Sequence, residues 1–369
     1  MFITSTGYFL PGPAINNNEI ETILGLVNNK PSRLKKKILS SNGILSRHYA
    51  IDEKQKTTIS NSEMAANAGR NCLKKTPLEH NQIGLLACAT SQGDSALPGL
   101  ASLVQADIGI PDVEIHSAHG VCSSSLMALK HAYLSLKCQE HERALVIASE
   151  FVSRLFKAKR YENTRQSTKI DFNAEFLRWM LSDGAGSCLL ENEPRGKCFR
   201  IDWVKSFSHA NAYPTCMSVG FPADQTDQRT WQDFDSYSDA ELAGAMMLRQ
   251  DVRLLDNIVK LGVDGFLRLI EEGLIQVDNI DHVLCHFSSH IFKGKIFKLL
   301  EKAGASIPEK KWYTNLYSRG NTGCASILIM LDEFMRTQQF EHGQTILCMV
   351  PESGRFNVAY MKLTVVDDS

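Results

Sequence analysis

The strongest constraint on this 369-residue chain is a faint repetition within it. Gly120–Leu129 reads GVCSSSLMAL and Gly320–Ile329 reads GNTGCASILI; each is a glycine turn, then small residues, then an apolar helix. Upstream, LLACATS ends at Ser91 and VLCHFSS at Ser289, 31 residues before Cys122 and 33 before Thr322. Downstream, ALVIASE ends at Glu150 and ILCMVPE at Glu352, 28 and 30 residues beyond those two positions. Three blocks in one order at matched spacing describe two similar α/β halves in one chain; the alternative is chance likeness among strand–turn–helix units. The polar stretch Glu191–Gly196 (ENEPRG) sets the boundary, giving halves 1–193 and 194–369.

Short apolar runs predict strands over Gly84–Thr90, Ala144–Ser149, Ala185–Leu190, His282–Phe287 and Thr345–Val350. Amphipathic stretches predict helices over Ser62–Lys75, Leu97–Asp107, Ser123–Cys138, Val252–Glu272, Gly294–Ala303 and Ala325–Thr337. Strands buried on both faces and spaced by helices read as α/β with a mainly parallel sheet. The polar, irregular segment Ser206–Ser238 is long for a loop in a compact domain, which points to a functional or mobile role.

Composition narrows the function classes. Hydrophobic residues at 43% and charged residues at 22% exclude a disordered chain. Forty basic against 41 acidic residues argue against bulk nucleic-acid binding. No signal-like start and no apolar run near the ~18–20 residues of a membrane span are visible. The expectation is a soluble, cytoplasmic protein with no membrane association.

None of the ten cysteines forms a C-x-x-C pair, so zinc-ribbon and thioredoxin motifs have no support. Cys122 stands apart because its Gly turn opens an apolar helix, where free N–H groups and the helix dipole favour thiolate. A nucleophile and a buried structural thiol both fit that position; the other nine read as packing residues. His286 lies near the end of a predicted strand, the place where open α/β sheets put their sites. His282 and His290 flank it, but the segment reads as strand then loop, which does not make a metal site. Asn321 stands in the second half where Cys122 stands in the first, and it also suits a local helix cap.

Together, HGVCSSS, VLCHFSSH and RGNTGCAS resemble the Cys–His–Asn sites of thiolase-superfamily condensing enzymes, and most closely the β-ketoacyl-acyl carrier protein synthase III family. LSDGAGSCLL and SNGILSRHYAID resemble two further motifs of that family, so the likeness spans essentially the whole chain. It implies a thiolase-like fold, with two pseudo-repeated α/β halves stacked as an αβαβα sandwich, and a homodimer. It implies Cys122 as the acyl-carrying nucleophile and His286 and Asn321 as donors to an enolate oxygen. The backbone N–H groups of Cys122 and Gly354 would form the oxyanion hole, although PESGRF replaces the family's glycine-richer turn. No cofactor or metal is implied; substrates are thioesters of CoA or of carrier-protein phosphopantetheine.

The opening segment also resembles the ketosynthases that make dialkylresorcinols and 2,5-dialkylcyclohexane-1,3-diones. That chemistry joins a β-ketoacyl thioester to an α,β-unsaturated acyl group and closes a ring. It has no malonyl decarboxylation to supply the carbanion and so needs a base, for which Glu150 is the candidate; Glu150 also suits an ion pair with Arg154 or a helix cap. Arg33, Lys35, Lys36 and Lys37, with Lys293 beyond His286, are candidates for binding an acidic carrier protein or CoA phosphates, and equally suit solvated helix faces. Competing readings are a chain-initiating synthase using malonyl-carrier protein, an acyltransferase, and a non-catalytic partner subunit of the same fold.

Overall fold

The computed structural model describes residues 1–163, 172–224 and 226–367. One sheet carries ten strands: β1 Phe2–Phe9, β2 Leu85–Thr90, β3 Glu114–His119, β4 Arg143–Glu150, β5 Gly184–Glu191, β6 Lys197–Ser208, β7 His282–Cys285, β8 Trp312–Tyr313, β9 Thr345–Pro351 and β10 Asn357–Asp367. Their order is β8–β7–β9–β10–β6–β1–β5–β4–β2–β3. From the central β1–β6 pair outward, both directions run through two antiparallel pairings and then two parallel ones.

Seven helices matter here: α1 Lys35–Asn42, α2 Asn61–Leu73, α3 Leu100–Ile108, α4 Ser124–Lys137, α5 Leu255–Glu271, α6 His290–Lys302 and α7 Ser326–Thr337. Alternate residues of the inner strands face different layers. Leu86 and Cys88 of β2 pack with α2 and α3, whereas Leu85, Ala87 and Ala89 join α4 and α7 in a central core. On β9, Leu347 and Met349 pack with α5 and α6, whereas Ile346, Cys348 and Val350 face the same central core. The layers are therefore α2/α3, one half-sheet, α4/α7, the other half-sheet and α5/α6: an αβαβα sandwich, the thiolase-like α/β architecture.

This layering brings two turns to the centre. Gly120–Ser123 leads from β3 into α4, and Gly320–Ala325 leads into α7. The five predicted strands form. β1, β3, β6, β8 and β10 are additional, and the sheet is half antiparallel rather than mainly parallel. Among the described residues no helix is long and apolar enough to cross a membrane.

Candidate active site

A cavity of ≈ 720 Å³ opens between the two turns, and Cys122, Glu150, Asn321 and Gly354 all line it. Val152, Leu155, Phe176 and Met180 make one side of its apolar wall, and Met217, Val219, Phe221 and Trp231 another. The second group comes from Ser206–Ser238, which the structure describes except at residue 225. That segment is docked onto the site: the Cys216 and Met217 N–H groups donate to the Gly354 carbonyl at 2.9 and 3.2 Å.

Cys122 is 6% exposed and sits two residues before α4. Its thiol is pushed well above the usual cysteine value, first by burial and then by the negative charges of Glu352 and Glu150. The thiolate that the helix end favoured on sequence grounds is thus disfavoured in the resting protein. Neither the Cys122 N–H nor the Gly354 N–H donates to another residue among those described. A Cβ on Gly354 would lie 2.9 Å from Val121 Cγ2, so glycine is what lets these two turns meet.

Asn321 serves its own turn and the cavity together. Its Oδ1 accepts the Gly323 N–H at 3.0 Å, and its Nδ2 donates to the Ser288 carbonyl at 3.4 Å. His286 follows β7, with its N–H donating to the Met349 carbonyl at 2.9 Å. Its ring is 4% exposed, and its Nε2 has no hydrogen-bond partner among the described residues. Burial lowers its pKa to about 4, so the imidazole is neutral at physiological pH and able to donate one N–H. His286 is not itself part of the cavity wall; Ser288, two residues on, is.

Glu150 ends β4 and is 1% exposed. Its Oε1 accepts the N–H groups of Ser91 and Cys324, each at 3.2 Å, and its Oε2 accepts the Ser91 hydroxyl at 2.6 Å. Burial raises its pKa while these hydrogen bonds pull it back down. The expected alternative partner, Arg154, instead pairs with Asp94 at 3.0 Å.

The basic residues lie away from the cavity wall. Arg33, Lys36 and Lys37 are exposed. Lys35 pairs with Glu21 at 3.0 Å and Lys293 with Glu309 at 2.7 Å. The two clusters are neighbours because α1 packs on α6.

Two residues carry more than the sequence reading gave them. Cys324, taken as packing, presents its N–H to Glu150. Glu352 accepts the Ser123 N–H at 3.1 Å beside Cys122; in the sequence it stood only as the repeat counterpart of Glu150 and a member of the PESGRF turn.

Known proteins resemble this chain in sequence and in fold. Residues 270–354 match the family described as 3-Oxoacyl-[acyl-carrier-protein (ACP)] synthase III C terminal. Beta-ketoacyl-[acyl-carrier-protein] synthase III of Streptococcus gordonii is 25% identical over 333 residues, 90% of this chain and 88% of that protein. An OleA variant of Xanthomonas campestris superposes with a TM-score of 0.77 at 19% identity, over 98% of this chain and 97% of that one. AbyA1, a tetronic acid condensing enzyme, gives 0.76 at 19%, over 98% and 99%. Fold and likeness define the class: an acyl-transferring condensing enzyme on the thiolase fold. Within that class the chain is similar in sequence to synthase III enzymes over about nine tenths of its length.

Proposed function

We propose that this chain is a ketosynthase that forms C–C bonds between two acyl thioesters, with Cys122 as the acyl-carrying nucleophile. A β-ketoacyl thioester is joined to an α,β-unsaturated acyl group, and a second C–C bond closes a cyclohexanedione or resorcinol precursor. His286 and Asn321 donate to the enolate oxygen, and the Cys122 and Gly354 N–H groups hold the thioester oxyanion. Glu150 takes the carbon-bound proton. The observation that carries this reading is the buried Glu150 carboxylate on the same cavity wall as Cys122 and Asn321. Burial raises its pKa above the ordinary carboxylate value, which makes it a stronger base than an exposed glutamate.

The test is intact-mass loading with saturated, unsaturated and β-keto thioesters, followed by product analysis with each second substrate. Acyl addition disappears in Cys122→Ala. Glu150→Gln loads normally but forms no ring product, and wild-type ring formation falls on the acid side of its pH profile, because the base must be deprotonated to act. Ring product at the wild-type rate from Glu150→Gln ends the base assignment.

The names of the curated relatives favour a second reading, a chain-initiating synthase that condenses an acyl group with malonyl-carrier protein. CO2 release from malonyl thioester selects it over the first. Acyl transfer to a hydroxyl or amine, or no Cys122 loading at all, would select the acyltransferase or the inert subunit.

We further propose that the halves 1–193 and 194–369 are structural repeats, and that the protein works in the cytoplasm as a homodimer. Among the described residues the edge strand β3 pairs only with β2 and leaves Ile115 40% exposed, a surface suited to a second copy. A monomer on gel filtration at micromolar concentration would contradict the dimer.

A further inference from the structure

Two carboxylates lie near the Cys122 thiol, and the mechanism above uses only one. Glu150 opens onto the cavity; Glu352 does not line it. Glu352 follows β9 and crosses from the second half to the first. Its Oε2 accepts both the Ser123 N–H, at 3.1 Å, and the Ser123 hydroxyl. That hydroxyl in turn accepts from Asn357 Nδ2 at 2.8 Å. Ser123 follows Cys122 directly and is the last residue before α4. A helix N-terminus normally lends a nearby cysteine thiolate character through its free N–H groups and positive potential. Here a carboxylate from the opposite half has taken that end. The clamp is close, because Val121 already meets Gly354 with no room for a Cβ.

We propose that Glu352 is a positioning residue that clamps the Cys122 turn to the Gly354 turn and occupies the helix end that would otherwise serve the Cys122 sulfur. The proposal rests on Cys122 being the nucleophile. The charged and titratable groups around the pair are consistent with it. Glu352 and Glu150 both act on the thiol as negative charges, the Cys324 thiol is a third neighbour, and His119 faces Glu352. When the new S–C bond forms, the Cys122 proton leaves with the departing thiol of the donor thioester, so the exchange balances without another acid. A resting thiol rather than a thiolate also protects the site from stray electrophiles.

The test follows iodoacetamide alkylation of Cys122 against pH, with the modified residue assigned by peptide mass. In Glu352→Gln, which keeps an acceptor for the Ser123 N–H but removes the charge, the alkylation midpoint falls, and the rate at neutral pH rises about tenfold. Glu352→Asp, one methylene shorter, draws the charge back and gives a smaller shift of the same sign; it answers the question alone if Glu352→Gln does not fold. A midpoint unchanged or raised in the variant that folds overturns the proposal. Acyl loading is mapped in the same samples: loading at a residue other than Cys122 overturns the nucleophile assignment. Loading at Cys122 with an unmoved midpoint overturns the role of Glu352 alone.

Discussion

Gly323 shows how closely the Glu150 carboxylate is fitted. The residue adopts φ +54, and a Cβ there would lie 2.9 Å from both Cγ and Oε1 of Glu150. Gly323→Ala therefore adds left-handed backbone strain of roughly 1–2 kcal/mol and pushes Glu150 from its place. The expected outcome is a split: Cys122 loading by intact mass stays near wild type, while the condensation rate falls about a hundredfold, as for a base displaced by about 1 Å. Equal loss of both steps would show that the turn supports the nucleophile instead. At this scale Cys122 and Asn321 were legible because each stands in a turn of small residues before an apolar helix. Glu352 was not, because its partner Ser123 lies 229 residues away and local pattern carries no trace of such a pairing.

Among elements, the six predicted helices lie within a few residues of their observed bounds, as do the strands with two buried faces. By contrast α1, with only Ile38 and Asn42 buried, carried too little apolar periodicity to be read. Of the strands that sequence reading passed over, β1, β3 and β6 lack a continuous apolar run, whereas β10 has one in Val358–Met361. β1 buries Ser5 and Thr6, whose hydroxyls donate to the Cys72 carbonyl at 2.8 Å and to Asp332 Oδ1 at 2.9 Å, so its polarity is satisfied by tertiary contacts. β3 is a mostly exposed edge. β6 mixes charged with apolar residues because one face is partly open.

Asp183, in the LSDGAG stretch before β5, ties separate elements together. Its Oδ2 accepts the Ala50 N–H at 2.7 Å and the Ser153 hydroxyl, and its Oδ1 accepts the Ser153 N–H at 2.9 Å. Burial raises its pKa to about 6, above the value expected unfolded. The folded state thus holds the proton more tightly, and stability from this group falls as pH rises between about 4 and 6, by about 3 kcal/mol in all. Asp183→Asn loses the acceptor for one N–H and is less stable at every pH. Its deficit, read from thermal midpoints, narrows across that window. A constant deficit would mean that Asp183 does not titrate there.

For the whole molecule, a net charge of -1 conceals an uneven surface. Lys35 and Lys293 are held by Glu21 and Glu309, so the paired positions add little to an outward field. Arg33, Lys36 and Lys37 remain exposed at the start of α1, beside α6. Exposed charges at a rim act mainly on encounter, are screened within about 8–10 Å at physiological salt, and do little for a small neutral ligand. The double charge reversal Lys36→Glu with Lys37→Glu accordingly separates two donors that share one cavity. With carrier-protein thioesters, KM rises roughly three- to tenfold at low salt. The difference from wild type shrinks as salt is added, and kcat holds. With a short neutral thioester of the same acyl group, both constants stay at wild-type values, because the cavity wall contains neither lysine. An unchanged KM for the carrier-bound substrate would remove α1 from the docking surface and leave its lysines as a solvated helix face.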